Sequence, residues 1–229
     1  MGLFASRQPD DDLRRLVAEV ARMGGMAESQ TADAVQCVAR RDIGLALAVV
    51  GRDGRIDDAQ RDIERRAVAL IAARRQPPAD LRRIVAAMKL AVSIERTGDL
   101  ARNIARRAVV ISEAEPMTAL TRSVERMGDM VVERMHEALD AYAVQDLGRA
   151  MAVWSRDQEV DEHYNSLFRE LLGHMVADQR TVTPCTHLLF VAKNLERIGD
   201  HATTIAELVH YELTGAEPAA DRPMGVYAF

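Results

Sequence analysis

Shifted by 104 residues, the chain overlays itself. DIGLALAVVGRDGRID at 42–57 meets DLGRAMAVWSRDQEVD at 146–161, with Asp42/Asp146, Gly44/Gly148, Ala46/Ala150, Ala48/Ala152, Val49/Val153, Arg52/Arg156, Asp53/Asp157 and Asp57/Asp161 identical. Met23-Gly24 falls on Met127-Gly128, and ERTGDLARNIA at 95–105 falls on ERIGDHATTIA at 196–206 once the shift drops to 101. Similarity at a fixed period marks a duplicated structural unit. Any fold for this chain must therefore build one unit twice.

The unit is helical. Prolines stand at 9, 77, 78, 116, 184, 218 and 223, leaving long proline-free stretches of the kind uninterrupted helices need. Apolar spacing between them predicts helices near 11–41, 45–75, 79–113, 117–144, 147–178 and 184–213. In the second of these, Ile56, Ala59, Ile63, Ala67, Leu70 and Ile71 keep the spacing of one buried stripe. No segment alternates like a strand, and only 4% of residues are aromatic. With 229 residues the chain has room for two cores of roughly 100 residues each. The expected fold is all-α: two tandem, repeat-related three-helix bundles at 1–115 and 116–214, with a flexible C-terminal tail at 215–229.

A formal charge of −5 argues against nucleic acid or anionic lipid as the main partner, since both are held by excess Lys and Arg. No apolar run approaches the roughly 18 residues of a membrane span, and the Met1 to Leu13 start lacks the pattern of a secretory signal. These features point to a cytoplasmic protein without direct membrane insertion. Cys37 and Cys185 belong to no CxxC pattern and read as buried free thiols. All six histidines lie in the second half, so none belongs to both copies, and each reads as an isolated surface or core residue.

The copied acids carry the chemistry. Two acids four residues apart on a helix project from one face. The spacing recurs at Asp58/Asp62 and Glu125/Asp129, so it carries little weight by itself. Its weight lies in the duplication: Asp53/Asp57 with Glu95/Asp99 in one half, Asp157/Asp161 with Glu196/Asp200 in the other. Like charges at this spacing repel by a few tenths of a kcal/mol. Carboxylates crowded into a groove need a cation or raised pKa values. Glu95 and Asp99 extend the apolar row of Met88 and Val92, whereas Glu196 follows Leu189 and Asp200 follows Lys193, a less regular row. Gly98 and Gly199 sit beside the acids, where a missing side chain admits either another helix or a ligand. Neutralisation by arginine is the competing reading: Arg96 and Arg197 are repeated but point about 100° away, while Arg102, on the acid face, becomes Thr203. That difference favours a cation site. An all-oxygen set suits divalent or trivalent ions such as Mg²⁺, Mn²⁺, Ca²⁺ or iron, rather than a thiolate zinc site.

MGGMAE at 23–28, GRDGRID at 51–57, SIERTGDLARNIA at 93–105, SRDQEVD at 155–161 and NLERIGDHATTIA at 194–206, in this order, resemble the PhoU family of phosphate-signalling proteins. The likeness runs to about residue 213. It implies tandem three-helix bundles whose E/D-x-x-x-D metal motif maps onto Asp53, Asp57, Glu95 and Asp99, and onto Asp157, Asp161, Glu196 and Asp200. It also implies a non-enzymatic negative regulator of phosphate transport and homeostasis. Such a regulator restrains the ATPase subunit of the phosphate transporter and the phosphate sensor histidine kinase when phosphate is plentiful, and acts as a homodimer. Glu125/Asp129 has no counterpart, since Ala21 and Gly25 stand at the matching positions.

Two enzyme classes compete. A carboxylate di-iron oxidase would need a Glu-x-x-His motif on each of two helices; the motif occurs at Glu133 to His136 and at Glu207 to His210, which are not repeat-related positions. A Mg²⁺-dependent nucleotide pyrophosphatase would need ExxE before ExxD, whereas Glu137/Asp140 precedes Glu159/Glu162.

Overall fold

Asp42 and Asp146 each start a helix in the same way. Both sit in extended backbone, and their carboxylates accept the amide protons of Leu45 at 2.8 Å and Arg149 at 3.0 Å. Each satisfies a first-turn amide that the helix itself leaves unpaired. In the computed structural model, which describes residues 9–73 and 77–219, eight α-helices follow from such local signals. They are α1 Pro9–Arg40, α2 Ile43–Arg52, α3 Gly54–Ala73, α4 Pro78–Ile111, α5 Thr118–Val144, α6 Leu147–Ser155, α7 Gln158–Ala177 and α8 Val182–Thr214. A 3₁₀ turn, Gln179–Thr181, precedes α8, and no strand occurs among the described residues. Gly215 closes α8 at φ 79, a left-handed cap that suits glycine. Of the tail expected from 215, residues 220–229 lie outside the described residues, as do 74 and 75 at the end of the second predicted helix.

The middle helix of each half is broken where continuity was expected. In the first copy the amide of Ile56 donates to the carbonyl of Asp53 at 2.9 Å; in the second, Glu159 donates to the carbonyl of Arg156 at 3.2 Å. These three-residue bonds mark where α2 passes into α3 and α6 into α7. Asp53 and Asp157 occupy the two breaks with the same backbone, φ −54, ψ −41 and φ −53, ψ −41. Beyond the first break Ile56, Ile63 and Ala67 are buried, Ala59 and Leu70 pack partly against the core, and Ile71 is exposed instead of completing the stripe.

The four long helices close a ring of contacts: α1 on α4 and α5, and α8 on α4 and α5. α2 and α3 flank α1 and α4, and α6 and α7 flank α5 and α8. The two bundles thus share one continuous core from Leu16 and Val20 through Leu90 and Ile94 to Leu195 and Ile198. Glycine sets the approach of α1 to α5. A Cβ on Gly24 would come 2.5 Å from Leu139, and one on Gly128 would come 2.5 Å from Val35. Positions 24 and 128, and 35 and 139, correspond under the same 104-residue shift, so each half offers the bare backbone that the other half's branched side chain requires.

Candidate functional site

Ile56 seats the first acidic set. It packs on Gly98, where an added Cβ would lie 2.9 Å from its Cδ1, so the first turn of α3 rests directly on the backbone of α4. The second copy repeats this, with Val160 3.3 Å from a Cβ on Gly199. Both pentad glycines therefore serve helix packing. Each brings a helix break against the long helix: Asp53 comes near Gly98 and Glu95 of α4, and Asp157 meets Thr203 of α8. Asp57 and Asp161 lie in the first turns of α3 and α7, where the helix dipole favours negative charge.

In the first half Asp53 is 5% exposed. Its Oδ1 accepts a hydrogen bond from Gln30 Nε2 at 2.8 Å, and that amide also reaches the carbonyl of Gly98 at 3.2 Å. The guanidinium of Arg102 bridges Asp53, through Nη1, and Asp99, through Nη2 at 2.8 Å. Burial opposes the charge of Arg102, but the bond to Asp53 and the fields of Asp53, Asp99 and Asp57 outweigh it and raise its pKa. Glu95 is raised as well, first by burial and then by Asp99, with Asp57 and Asp53 adding to the effect and Arg96 opposing it. All four acids therefore share one electrostatic neighbourhood. Arg96, expected to point away, reaches both Glu95 at 3.6 Å and Asp99 at 3.5 Å.

The second half is built differently. Thr203, at the position of Arg102, donates its hydroxyl proton to Asp157 Oδ1 at 2.6 Å. Arg134, at the position of Gln30, is buried; it donates to the carbonyl of Asp157 at 3.4 Å and to Glu159 Oε2 at 2.8 Å. One half thus carries its arginine on α4 and the other on α5. Glu196, on the less regular row, is the more buried of the two pentad glutamates at 4% exposed. Lys193 Nζ donates to its Oε1 at 2.6 Å, while its Oε2 is buried without a hydrogen-bond partner. Asp161 and Asp200 are half-buried.

The oxygen-only donor set and the orphaned Glu196 Oε2 match the chemistry of a hard cation. The geometry is not closed around one: among the described residues no three His, Cys, Asp or Glu side chains stand together so as to hold an ion. Among the acids of the enzyme-like motifs, Glu159 is engaged by Arg134 and Arg156, Glu137 by Arg156, and Asp140 by His136 and Arg149. Sequence reading missed Gln30 and Arg134, because it followed identities between the copies and these positions differ. It also missed that histidines join the halves: His201 Nδ1 lies 3.0 Å from Ser93 Oγ, His136 3.2 Å from Glu28 and His187 3.4 Å from Arg107. The two cysteines are buried and free as expected, and burial with nearby Asp42 and Asp33 pushes the Cys37 thiol up to about 11.

The comparisons agree with this duplicated plan. A family model described as the PhoU domain matches residues 20–108 and again 124–209. A Caulobacter vibrioides protein named phosphate-specific transport system accessory protein PhoU homolog is 60% identical over 213 residues, 93% of each chain. A Rhizobium meliloti protein of the same name is 42% identical over 93% of this chain and 90% of its own. The crystal structure of PhoU from Pseudomonas aeruginosa superposes with a TM-score of 0.85 at 37% identity, covering 91% of this chain and all of that one. The phosphate transport system regulatory protein PhoU from Streptococcus pneumoniae, at 24% identity, has a TM-score of 0.84 and shares the fold.

Proposed function

Because the chain belongs to the PhoU family and carries its domain twice, we propose that it regulates phosphate uptake and phosphate-starvation signalling as a non-enzymatic helical adaptor. The observation that supports this best is the 60% identity, over 93% of both chains, to a protein named as an accessory of phosphate-specific transport. In this reading the chain restrains the transporter through its ATPase subunit, and the sensor histidine kinase, when phosphate is plentiful. No helix among the described residues is long and apolar enough to cross a membrane, so contact with a transporter would run through protein surfaces. Glu137, Asp140 and Glu159 of the pyrophosphatase-like motifs are paired with basic residues, which supports an adaptor over a hydrolase.

The acidic sets enter the proposal as cation-responsive elements. Asp157, Asp161, Glu196 and Asp200 would hold a hard divalent ion in the second half, where the ion would supply positive charge to the gap between α7 and α8. The chain's own part is to hold Asp157 in place through Thr203 and Arg134, and to keep Glu196 out of water.

The test is a chromosomal deletion grown in phosphate-rich medium with a starvation-promoter reporter, together with affinity capture of the tagged protein. The deletion is expected to switch the reporter on, and capture to recover the transporter ATPase or a sensor kinase. A silent reporter with neither partner recovered would overturn the regulatory reading.

A further inference from the structure

Along the outer seam between α4 and α8 the contacts are made by cations and rings. Lys89 Nζ lies 5.4 Å from the centre of the Tyr211 ring, Ser93 Oγ meets His201 Nδ1 at 3.0 Å, and the Arg107 guanidinium stacks 4.0 Å over Phe190 and reaches His187 at 3.4 Å. Rising numbers on α4 meet falling ones on α8, so the two helices run antiparallel along this line. Lys89, Arg96 and Arg107 are seven and eleven residues apart, two and three turns, so they share one face of α4 at intervals of roughly 10 and 16 Å. Val92 is exposed on that face, and Phe190 and Arg197, seven residues apart and both exposed, face outward from α8. Phe190 keeps 48% of its surface in water beneath a guanidinium, an aromatic and arginine pair of the kind that interfaces bury.

Among the described residues no carboxylate contributes to the pKa shifts along this line. Burial alone lowers Arg107; burial and then Arg107 lower His187; burial and then Arg197 and Arg96 lower His201, which sets both arginines near that ring. At His136, by contrast, the bond to Glu28 raises the pKa. Arg96 leans back toward Glu95 at 3.6 Å and Asp99 at 3.5 Å, so acids border the positive strip on the α3 side. A flat anionic membrane or a long nucleic acid would press on those acids, and on a chain of net charge −5, as well as on the strip. A single narrow segment lies within it.

We propose that the α4–α8 seam is a docking lane for one acidic helix of a protein partner, which sets a carboxylate on every second turn against Lys89, Arg96 and Arg197 and an apolar side chain against Phe190 and Val92. The proposal rests on the adaptor reading and deepens it, since it gives the face that docks and the charge of the segment received.

The experiment places the photo-crosslinking residue p-benzoylphenylalanine at Val92 of the full chain in cells grown on plentiful phosphate, with Val176, in the last turn of α7 and off the seam, as the control position. Irradiation is expected to trap a protein from position 92 and not from 176, with mass spectrometry placing the link in a segment whose Asp and Glu outnumber its Lys and Arg. Lys89→Glu combined with Arg197→Glu is expected to cut the yield about fivefold or more, while Lys89→Arg with Arg197→Lys keeps it. Circular dichroism checks that each variant folds, and Arg197→Gln carries the comparison if the double reversal does not. A link to lipid or nucleic acid, a link in a segment without that acidic excess, no link at all, or a yield unmoved by charge reversal overturns the docking lane. The adaptor reading is judged apart, by the reporter and the affinity capture: it stands if the tagged chain still recovers its partners when the seam crosslink fails.

Discussion

Glu95 bears the strain of crowding four carboxylates at one helix crossing. Arg102 answers Asp53 and Asp99, which leaves Glu95 with only the more exposed Arg96 against burial and three neighbouring acids. Its pKa in the fold is therefore above that of the unfolded chain. Such a carboxyl contributes its full stability below the unfolded value and loses it as pH rises through the folded one. Glu95→Gln mimics the protonated form, so it is expected to stabilise the protein at neutral pH by a few tenths of a kcal/mol. Thermal melts across pH should show the gain shrinking to nothing toward the acid range. A constant offset at every pH would mean that shape, not charge, distinguishes the two side chains.

Between helices the decisive contacts are made by missing side chains. At Gly128 an added Cβ meets both γ-methyls of Val35 at 2.5 Å, and valine is stiff about χ1, so the helices themselves must move. Gly128→Ala is expected to cost about 1–3 kcal/mol in chemical denaturation. Val35→Ala should recover much of that, giving a double mutant well short of additive. Gly98→Ala meets the Cδ1 end of Ile56, which can swing aside, and should cost less. Much at this scale was legible beforehand: the prolines placed the long helices, and the copied acids marked which faces meet. The breaks at Asp53 and Asp157 were not. The residue after the acid is Gly54 in one copy and Gln158 in the other, so no shared breaker announces the turn, and apolar spacing runs on through it. The arginine exchange was hidden for a related reason. Position 102 was visible as a difference within a matched motif, but Gln30 and Arg134 lie outside any match, and only the packing of α1 and α5 brings them to the acids.

Across the whole molecule the halves are fastened by polar contacts at the seam as well as by the core. Arg83, near the start of α4, donates to Glu212, near the end of α8, at 3.0 Å, and Gln145 donates to the same oxygen at 2.9 Å. Burial raises the pKa of Glu212 against the pull of Arg83 and Gln145. Removing Arg83 leaves a buried carboxylate without its counter-charge, a change that costs up to about 3 kcal/mol when one partner is a quarter exposed. Arg83→Met should therefore lower the melting temperature at neutral pH, and lose less as the solution is acidified and Glu212 takes up a proton. An equal loss at all pH values would place the effect in packing alone.

The paired glycines of α1 and α5 also bear on how such a chain came to exist. A single half meeting its own copy would make the glycine-to-branched-residue contact twice, in the reciprocal fashion of a two-fold symmetric dimer. The seam is that dimer interface enclosed within one polypeptide, where the tether keeps the two faces together at every protein concentration. Linkage also frees each copy from having to match itself. Position 35 can be valine while 139 is leucine, and an arginine can leave one helix for another, because neither change has to be acceptable on both sides of the axis at once.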